Sequence, residues 1–316
     1  PEIRIGALAG LDADEIADPR PSADAIEREI DARGLGSNLA PKLSVVVDGG
    51  GVLPLAGIGA DIRLEAVDAE SWAVCIGGSS GERLLGKADA PRAVAAAIEA
   101  LAMLARRGPS ARGRDLDRQA LAQLALALDA CAERPQRHAD RPVGRFALRN
   151  GTHARGVALA FGQIGSDEIA AFAEAAGGSQ KKFRLAAGRG LIAPDLSAED
   201  DARLLERAER LGLVTRADDS RLNVAACAGA PACASAHLPT RAIARDLVAM
   251  RPDLLRDRTV VYLSGCAKHC ARPGAPAVTL TGGADGYDLA PASGELPALL
   301  ARLAERHGAT PRRRRA

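Results

Sequence analysis

A chain of 316 residues with a formal net charge of only +2 is long enough to bury two to three modest cores and has no bulk attraction for nucleic acid. Arginine outnumbers lysine 37 to 5 and only seven residues are aromatic, so the cores must be built from Ala, Leu, Val and Ile. No apolar run reaches the ~18 residues that a bilayer span needs, and free thiols suit a reducing cytoplasm.

The chain opens on Pro1 and its first residues read as the middle of a domain, which leads us to expect a natural N-terminal part ahead of them. Ala7–Pro21 is an acidic, turn-rich loop before a helix over Ser22–Arg33. Val45–Val47 has the short β-branched run of a buried strand, ended by Gly49–Gly51. A strand followed by glycines invites a nucleotide site, but the G-x-G-x-x-G spacing is absent and Pro54 stands where a helix should open. Asp61–Val67 and Ser71–Ile76 read as two more strands, with Trp72 and Cys75 as packing residues.

A helix is expected over Ala90–Arg107, opened by Pro91 in its first turn. A polar break at Gly108–Arg114 separates it from a second helix over Leu116–Ala132, which has Cys131 at its end. Arg134–Arg141 reads as a charged linker and domain boundary. Next come a strand at Arg155–Phe161, a helix at Ser166–Ala176 and a strand at Lys182–Ala186, a β-α-β module. Ser197 and Asp200 have capping-box spacing for a helix running to Leu211. The tail Pro311–Ala316 is a basic run, read as a solvated end.

Four of the six cysteines form two pairs. Cys227 and Cys233 are spaced C-x5-C; Cys266 and Cys270 are spaced C-x3-C after Gly265. A disulfide framework fits poorly, because no signal peptide opens the chain and Cys75 and Cys131 are isolated. Structural zinc prefers tighter knuckles than C-x5-C. Four thiolates on two small-residue loops suit a cubane iron–sulfur cluster, whose sulfurs accept backbone N–H bonds. An internal repeat accompanies the pairs: Ala7–Gly10 corresponds to Ala226–Gly229, the helix Ser22–Arg33 to Thr240–Met250, Val45–Gly50 to Val260–Gly265, and Asp61–Val67 to Ala277–Thr281. The front copy lacks the cysteines.

The C-x5-C and G-C-x3-C pairs resemble the nitrite/sulfite reductase superfamily, in which siroheme and a [4Fe–4S] cluster share a bridging cysteine. Gly265-Cys266-Ala267-Lys268-His269-Cys270-Ala271-Arg272-Pro273 is most similar to the oxygen-dependent precorrin-3B synthase branch. Reductases carry Asn where Lys268 stands; the synthases carry Gly where His269 stands and His where Arg272 stands. The loop from Ala7 to Pro21 is similar to the loop of siroheme nitrite reductases that lies near the tetrapyrrole. Leu39–Ser44 resembles their L-P-R-K-F-K stretch, with Lys42 kept and Ser44 in place of the second lysine. Arg184–Leu191 resembles a strand end of the same family.

The resemblance implies an α+β fold of pseudo-twofold build. A degenerate α/β module would occupy residues 1–108, a helical linker 109–141, a ferredoxin-like half-domain 142–221 and the cluster-binding module 222–316. It covers about three of the family's four modules, which implies that residues 1–316 alone turn over poorly. It implies Cys227, Cys233, Cys266 and Cys270 as ligands of a [4Fe–4S] cluster, with Cys270 nearest the tetrapyrrole, and siroheme as a less favoured second cofactor. Arg20, Lys42, Arg184, Arg189 and Lys268 are candidates for binding the carboxylates of a tetrapyrrole substrate, and Lys268 and His269 are the catalytic candidates. The implied activity is O2-dependent hydroxylation and lactonisation of precorrin-3A in aerobic cobalamin biosynthesis. No flavin or nicotinamide motif is visible, so electrons would come from an external reductase or ferredoxin. A siroheme nitrite or sulfite reductase hemoprotein is the second reading, and a non-catalytic iron–sulfur or tetrapyrrole-binding module the third. No nucleic-acid or membrane partner is expected.

Overall fold

A computed structural model describes residues 1–78, 81–138, 141–178, 182–255, 259–274 and 276–312. The end of the basic tail, 313–316, lies outside the described residues. Two compact units divide the chain: Pro1–Ala154 with Arg184–Gly188, and Arg155–Phe183 with Arg189–Ala316. No described helix is long and apolar enough to cross a membrane.

Unit 1 is built on a five-stranded sheet of β1 (Glu2–Ile5), β2 (Ser44–Asp48), β3 (Ile62–Ala66), β4 (Ser71–Gly78) and β5 (Gly81–Asp89), adjacent in chain order. The first three run parallel and the last two return antiparallel. All five residues of β2 are buried, which explains its unbroken Val45–Val47 run: a central parallel strand is covered on both faces. The crossover helix α1 (Arg20–Ala32) buries Ala23, Ile26 and Ile30 at helical spacing. Helix α2 (Ala90–Arg107) has the ends its sequence promised. Asp89 accepts from the Arg92 N–H, a proline sits in the first turn, and Gly108 follows at positive φ. These helices cover one face, joining Ile26, Ile30, Val45, Val47, Ile62, Leu64, Trp72, Leu101 and Leu104 in one core. Trp72 and Cys75 are buried as expected, and burial pushes the Cys75 thiol up to about 12.

The opposite face of this sheet is partly ionic. Arg63, 1 % exposed, donates to Glu82 at 2.7 Å and to the Leu55 and Ile58 carbonyls. Arg134 bonds the fully buried Glu65 at 2.5 Å and pairs with Glu82 at 2.7 Å. The two cations and two carboxylates balance, which a buried charge group requires. Arg134 and Arg137, read from sequence as part of a charged linker, are therefore ties to the sheet; Arg137 reaches the Ala66 carbonyl.

A second correction concerns the helix expected over Leu116–Ala132. The observed α3 spans Arg118–Ala125. Beyond it Asp129 forms a backbone bridge with Lys87 of β5, bonded at 2.8 and 2.9 Å, so the chain leaves the helix to pair with a strand. Leu126 is left 88 % exposed. The short strand β6 (Gly144–Ala147) follows.

Strand β7 (His153–Ala158) enters unit 2 at Arg155 and is followed by α4 (Ser166–Ala175), after which the short β8 (Arg184–Ala186) belongs to unit 1. Strand β9 (Gly190–Leu196) lies beside β7, and α5 (Ala198–Arg210) follows. Ser197 accepts from the Asp200 N–H at 3.1 Å, with acids in the first turn of α5 and arginines in the last. Val157, Phe172, Leu191, Leu204 and Ala208 form the core here. Arg155 on β7 grips Asp201 on α5 through two bonds of 2.5 and 2.6 Å.

The rest of unit 2 comprises β10 (Val224–Ala226), α6 (Thr240–Met250), β11 (Val261–Ser264), β12 (Val278–Gly283), β13 (Gly286–Ala290) and α7 (Glu295–Arg306). Strands β10, β11 and β12 run parallel and β13 returns antiparallel. This is the order of β1, α1, β2, β3 and β4, so the internal repeat is real at the level of topology. Register sharpens it. Ile5 pairs with Val47 and Val47 with Leu64; Ala226 pairs with Leu263 and Leu263 with Leu280. Cys227 is thus equivalent to Gly6 and Cys266 to Gly50, one or two residues from the alignment read off the sequence.

Candidate iron–sulfur centre

Cys227 and Cys266 leave the carboxyl ends of the neighbouring parallel strands β10 and β11, the end at which open α/β sheets place their ligands. The Cys227 N–H bonds the Leu263 carbonyl at 3.1 Å, which continues the ladder up to the first cysteine. The loop then folds on itself: Cys233 N–H to Gly229 O at 2.9 Å, Ala236 N–H to Cys233 O at 3.0 Å, and His237 N–H to Gly265 O at 2.7 Å. Thr240, the fully buried first residue of α6, donates to the Cys227 carbonyl at 2.8 Å, and its hydroxyl lies 3.9 Å from the Cys227 sulfur.

Gly265 shows why small residues surround the pairs. A Cβ there would sit 2.6 Å from the Ala236 Cβ. Without one, the Gly265 N–H reaches the Cys227 Sγ at 3.1 Å. This is the backbone-to-sulfur bond expected around a cluster thiolate.

The second pair sits on a turn braced from β11. Ser264 donates to the Cys266 carbonyl at 2.7 Å, and the buried Tyr262 hydroxyl accepts from the Ala271 N–H at 3.3 Å. The His269 ring lies 5.8 Å from the Tyr262 ring, centre to centre. His269 has a φ of 51°, and its Nδ1 is buried with no hydrogen-bond partner among the described residues. Cys227, Cys233 and Cys266 are half-buried; Cys270 and Lys268 are exposed.

Among the described residues, no three His, Cys, Asp or Glu side chains gather closely enough to hold a single metal ion. A cubane asks for something else, since each of its four thiolates binds a different iron. The two strand-end loops, the N–H bonded to Cys227 and the unpartnered imidazole nitrogen fit such a group.

The carboxylate-binding candidates divide between the units. In unit 1, Arg20 is held by Asp18 through bonds of 2.7 to 3.1 Å, and the Arg20 guanidinium keeps the Asp18 carboxyl below its usual range. A Cβ on Gly10 would meet that guanidinium at 1.9 Å, so glycine lets the arginine lie across the loop. Arg184 donates to the Ala7 and Ala9 carbonyls, both at 3.1 Å. Lys42 is exposed. In unit 2, Arg189 donates to Val224 O at 2.8 Å and Leu222 O at 3.1 Å, bracing the entry to β10. Both Arg184 and Arg189 thus spend donors on the main chain.

Sequence reasoning missed the acids that shape the Ala7–Pro21 loop. Asp12 accepts from the Val52 N–H and Glu15 from the Gly10 N–H, each at 2.8 Å. Arg149 ties down the Asp12 and Glu15 carbonyls at 2.8 and 2.7 Å. Burial raises the Glu15 pKa to about 7. An acidic, turn-rich sequence looks solvated, and only the distant partners Val52 and Arg149 show that it is not.

No protein-family model matches the chain. A precorrin-3B synthase from Sinorhizobium sp is 39% identical over 295 residues, 91% of this chain and 64% of that protein. The NADPH sulfite reductase hemoprotein beta-component of Methylocella silvestris is 29% identical over 119 residues, 35% of this chain and 21% of that protein. A ferredoxin sulfite reductase of Mycobacterium tuberculosis is 31% identical over 157 residues, 46% of this chain and 28% of that protein. The solved NirA protein of Mycobacterium tuberculosis superposes with a TM-score of 0.74 at 21% identity, over 91% of this chain and 59% of its own. The chain therefore has the fold of the nitrite/sulfite reductases, and it spans less than two thirds of the length of the synthase it matches.

Proposed function

We propose that the chain performs precorrin-3B synthesis, the O2-dependent hydroxylation and lactonisation of precorrin-3A in cobalamin biosynthesis. The observation that carries this reading is the 39% identity to the Sinorhizobium synthase across 91% of the chain; the sulfite reductase matches are shorter. In this reaction one oxygen atom of O2 enters the product and the other leaves as water, with two electrons from an external reductase or ferredoxin. A [4Fe–4S] cluster, when bound, supplies those electrons singly.

Cys227, Cys233, Cys266 and Cys270 are the residues that would hold it. The Gly265 N–H stabilises the Cys227 thiolate, and Thr240 and Ser264 fix the loops on which the ligands stand. Each unit by itself offers candidate cations for tetrapyrrole acetate and propionate groups by charge-assisted hydrogen bonds: Lys42 and Arg20 in unit 1, Lys268 in unit 2. Arg184 and Arg189, which brace the main chain, are the remaining candidates. The protein is read as cytoplasmic, where its thiols stay reduced.

The test is incubation of the iron-loaded protein with precorrin-3A, O2 and a ferredoxin-type donor. The expected product is one oxygen atom heavier than the substrate, and the visible spectrum shows a broad iron–sulfur shoulder. Unchanged substrate at full iron content from the natural full-length protein as well as from residues 1–316, or strong siroheme bands with sulfite or nitrite reduction, would overturn the proposal.

A further inference from the structure

His269 bears two costs at once. Its φ of 51° lies in the left-handed region that few side chains adopt, and its Nδ1 is buried without a hydrogen-bond partner among the described residues. Buried polar atoms in native proteins are almost always paired, so an orphan needs an explanation. Packing alone does not supply one. An apolar side chain would cover Tyr262 as well, and glycine would take the backbone without strain.

The rest of the turn holds the ring in place. The His269 N–H reaches back to the Cys266 carbonyl at 3.5 Å, and the Arg272 N–H to the His269 carbonyl at 3.3 Å. The Tyr262 ring stands beside the imidazole, tilted 43°. Tyr262 is itself fixed by the Ser264 hydroxyl at 3.4 Å and by the Ala271 N–H. The orphan nitrogen therefore belongs to a side chain fixed three residues after one cysteine and next to another.

We propose that His269 is a positioning residue that donates an Nδ1–H hydrogen bond to a sulfur of the cluster carried by Cys266 and Cys270, and so makes that cluster easier to reduce. The proposal rests on the cluster reading above. Its physical basis is that hydrogen bonds to cluster sulfurs disperse the negative charge gained on reduction, and that they set the potential along with net charge and exposure. A neutral imidazole with its proton on Nδ1 suffices.

The experiment compares anaerobically loaded parent, His269→Gly and His269→Asn. Asparagine tolerates the left-handed backbone and keeps an N–H donor near the same place. Iron per chain and the reduction potential, from a redox titration followed by electron paramagnetic resonance, are the readouts. All three proteins should hold the same iron. At a fixed potential, His269→Gly should show roughly a tenfold lower ratio of reduced to oxidised cluster, which is 59 mV for a one-electron couple, and His269→Asn should recover most of it. The iron-free His269→Gly chain should melt no lower than the parent. An unchanged potential in His269→Gly would make the ring a packing residue, and loss of its iron would make it an assembly residue; either overturns the proposal. Failure of the parent to take up iron would instead defeat the cluster reading beneath it.

Discussion

Glu15 shows how a single residue carries pH dependence in this protein. Its carboxyl is buried beside the Gly10 N–H, and burial lifts its pKa from 4.5 to about 7. A raised acid pKa means that the folded state holds the proton more tightly than the unfolded chain does. The stabilisation is therefore complete below about pH 4.5 and is lost as pH rises through about 7. Urea unfolding followed on unit 1, through Trp72 fluorescence, should show stability falling between pH 5 and pH 7.5 by as much as roughly 1.4 kcal/mol per unit. Glu15→Gln should flatten that slope, and equal slopes in both proteins would show that Glu15 does not carry it. Nothing in the run Leu11-Asp12-Ala13-Asp14-Glu15 separates the buried acids from the exposed Asp14. Burial here is decided by Val52 and Arg149, far away in the chain.

At the scale of elements, helices with local stop and start chemistry were legible. Helix α2 matches its expected bounds because Asp89, Pro91 and Gly108 mark its ends within the sequence itself. Helix α3 was overread, since Leu124, Leu126 and Leu128 continue an apolar pattern while the decisive bridge to Lys87 is non-local. Strand β5 and strand β13 went unread, because their partly exposed residues lack the dense apolar run of β2. Helix α7 also went unread although Leu299, Leu300, Leu303 and Ala304 have helical spacing. The join between β7 and α5 was equally hidden, since Arg155 and Asp201 are 46 residues apart. Removing one partner of a buried pair strands the other charge. Arg155→Ala should therefore cost about 3 kcal/mol in urea unfolding, while Arg155→Met combined with Asp201→Leu should recover most of it. A loss below about 1 kcal/mol, the worth of an exposed pair, would contradict the buried reading.

Over the whole molecule, one β-α-β-β-β plan occurs twice with different residues at the same strand ends. The front copy has Gly6 and Gly50 at the strand ends and a sheet backed by Arg63, Glu65, Glu82 and Arg134. The back copy has Cys227 and Cys266 at the same register positions. The repeat and the cysteines were legible because they rest on local residue identity; the ionic face was not, because it joins residues as distant as Glu65 and Arg134. The account stands or falls on the four thiolates of the back copy. The measurement is iron and acid-labile sulfide in protein isolated without air. It predicts about four of each per chain, with most of both lost in any of Cys227→Ser, Cys233→Ser, Cys266→Ser or Cys270→Ser and retained in Cys75→Ser and Cys131→Ser. Iron that survives all four ligand changes, or that is lost equally with Cys75 or Cys131, would contradict it.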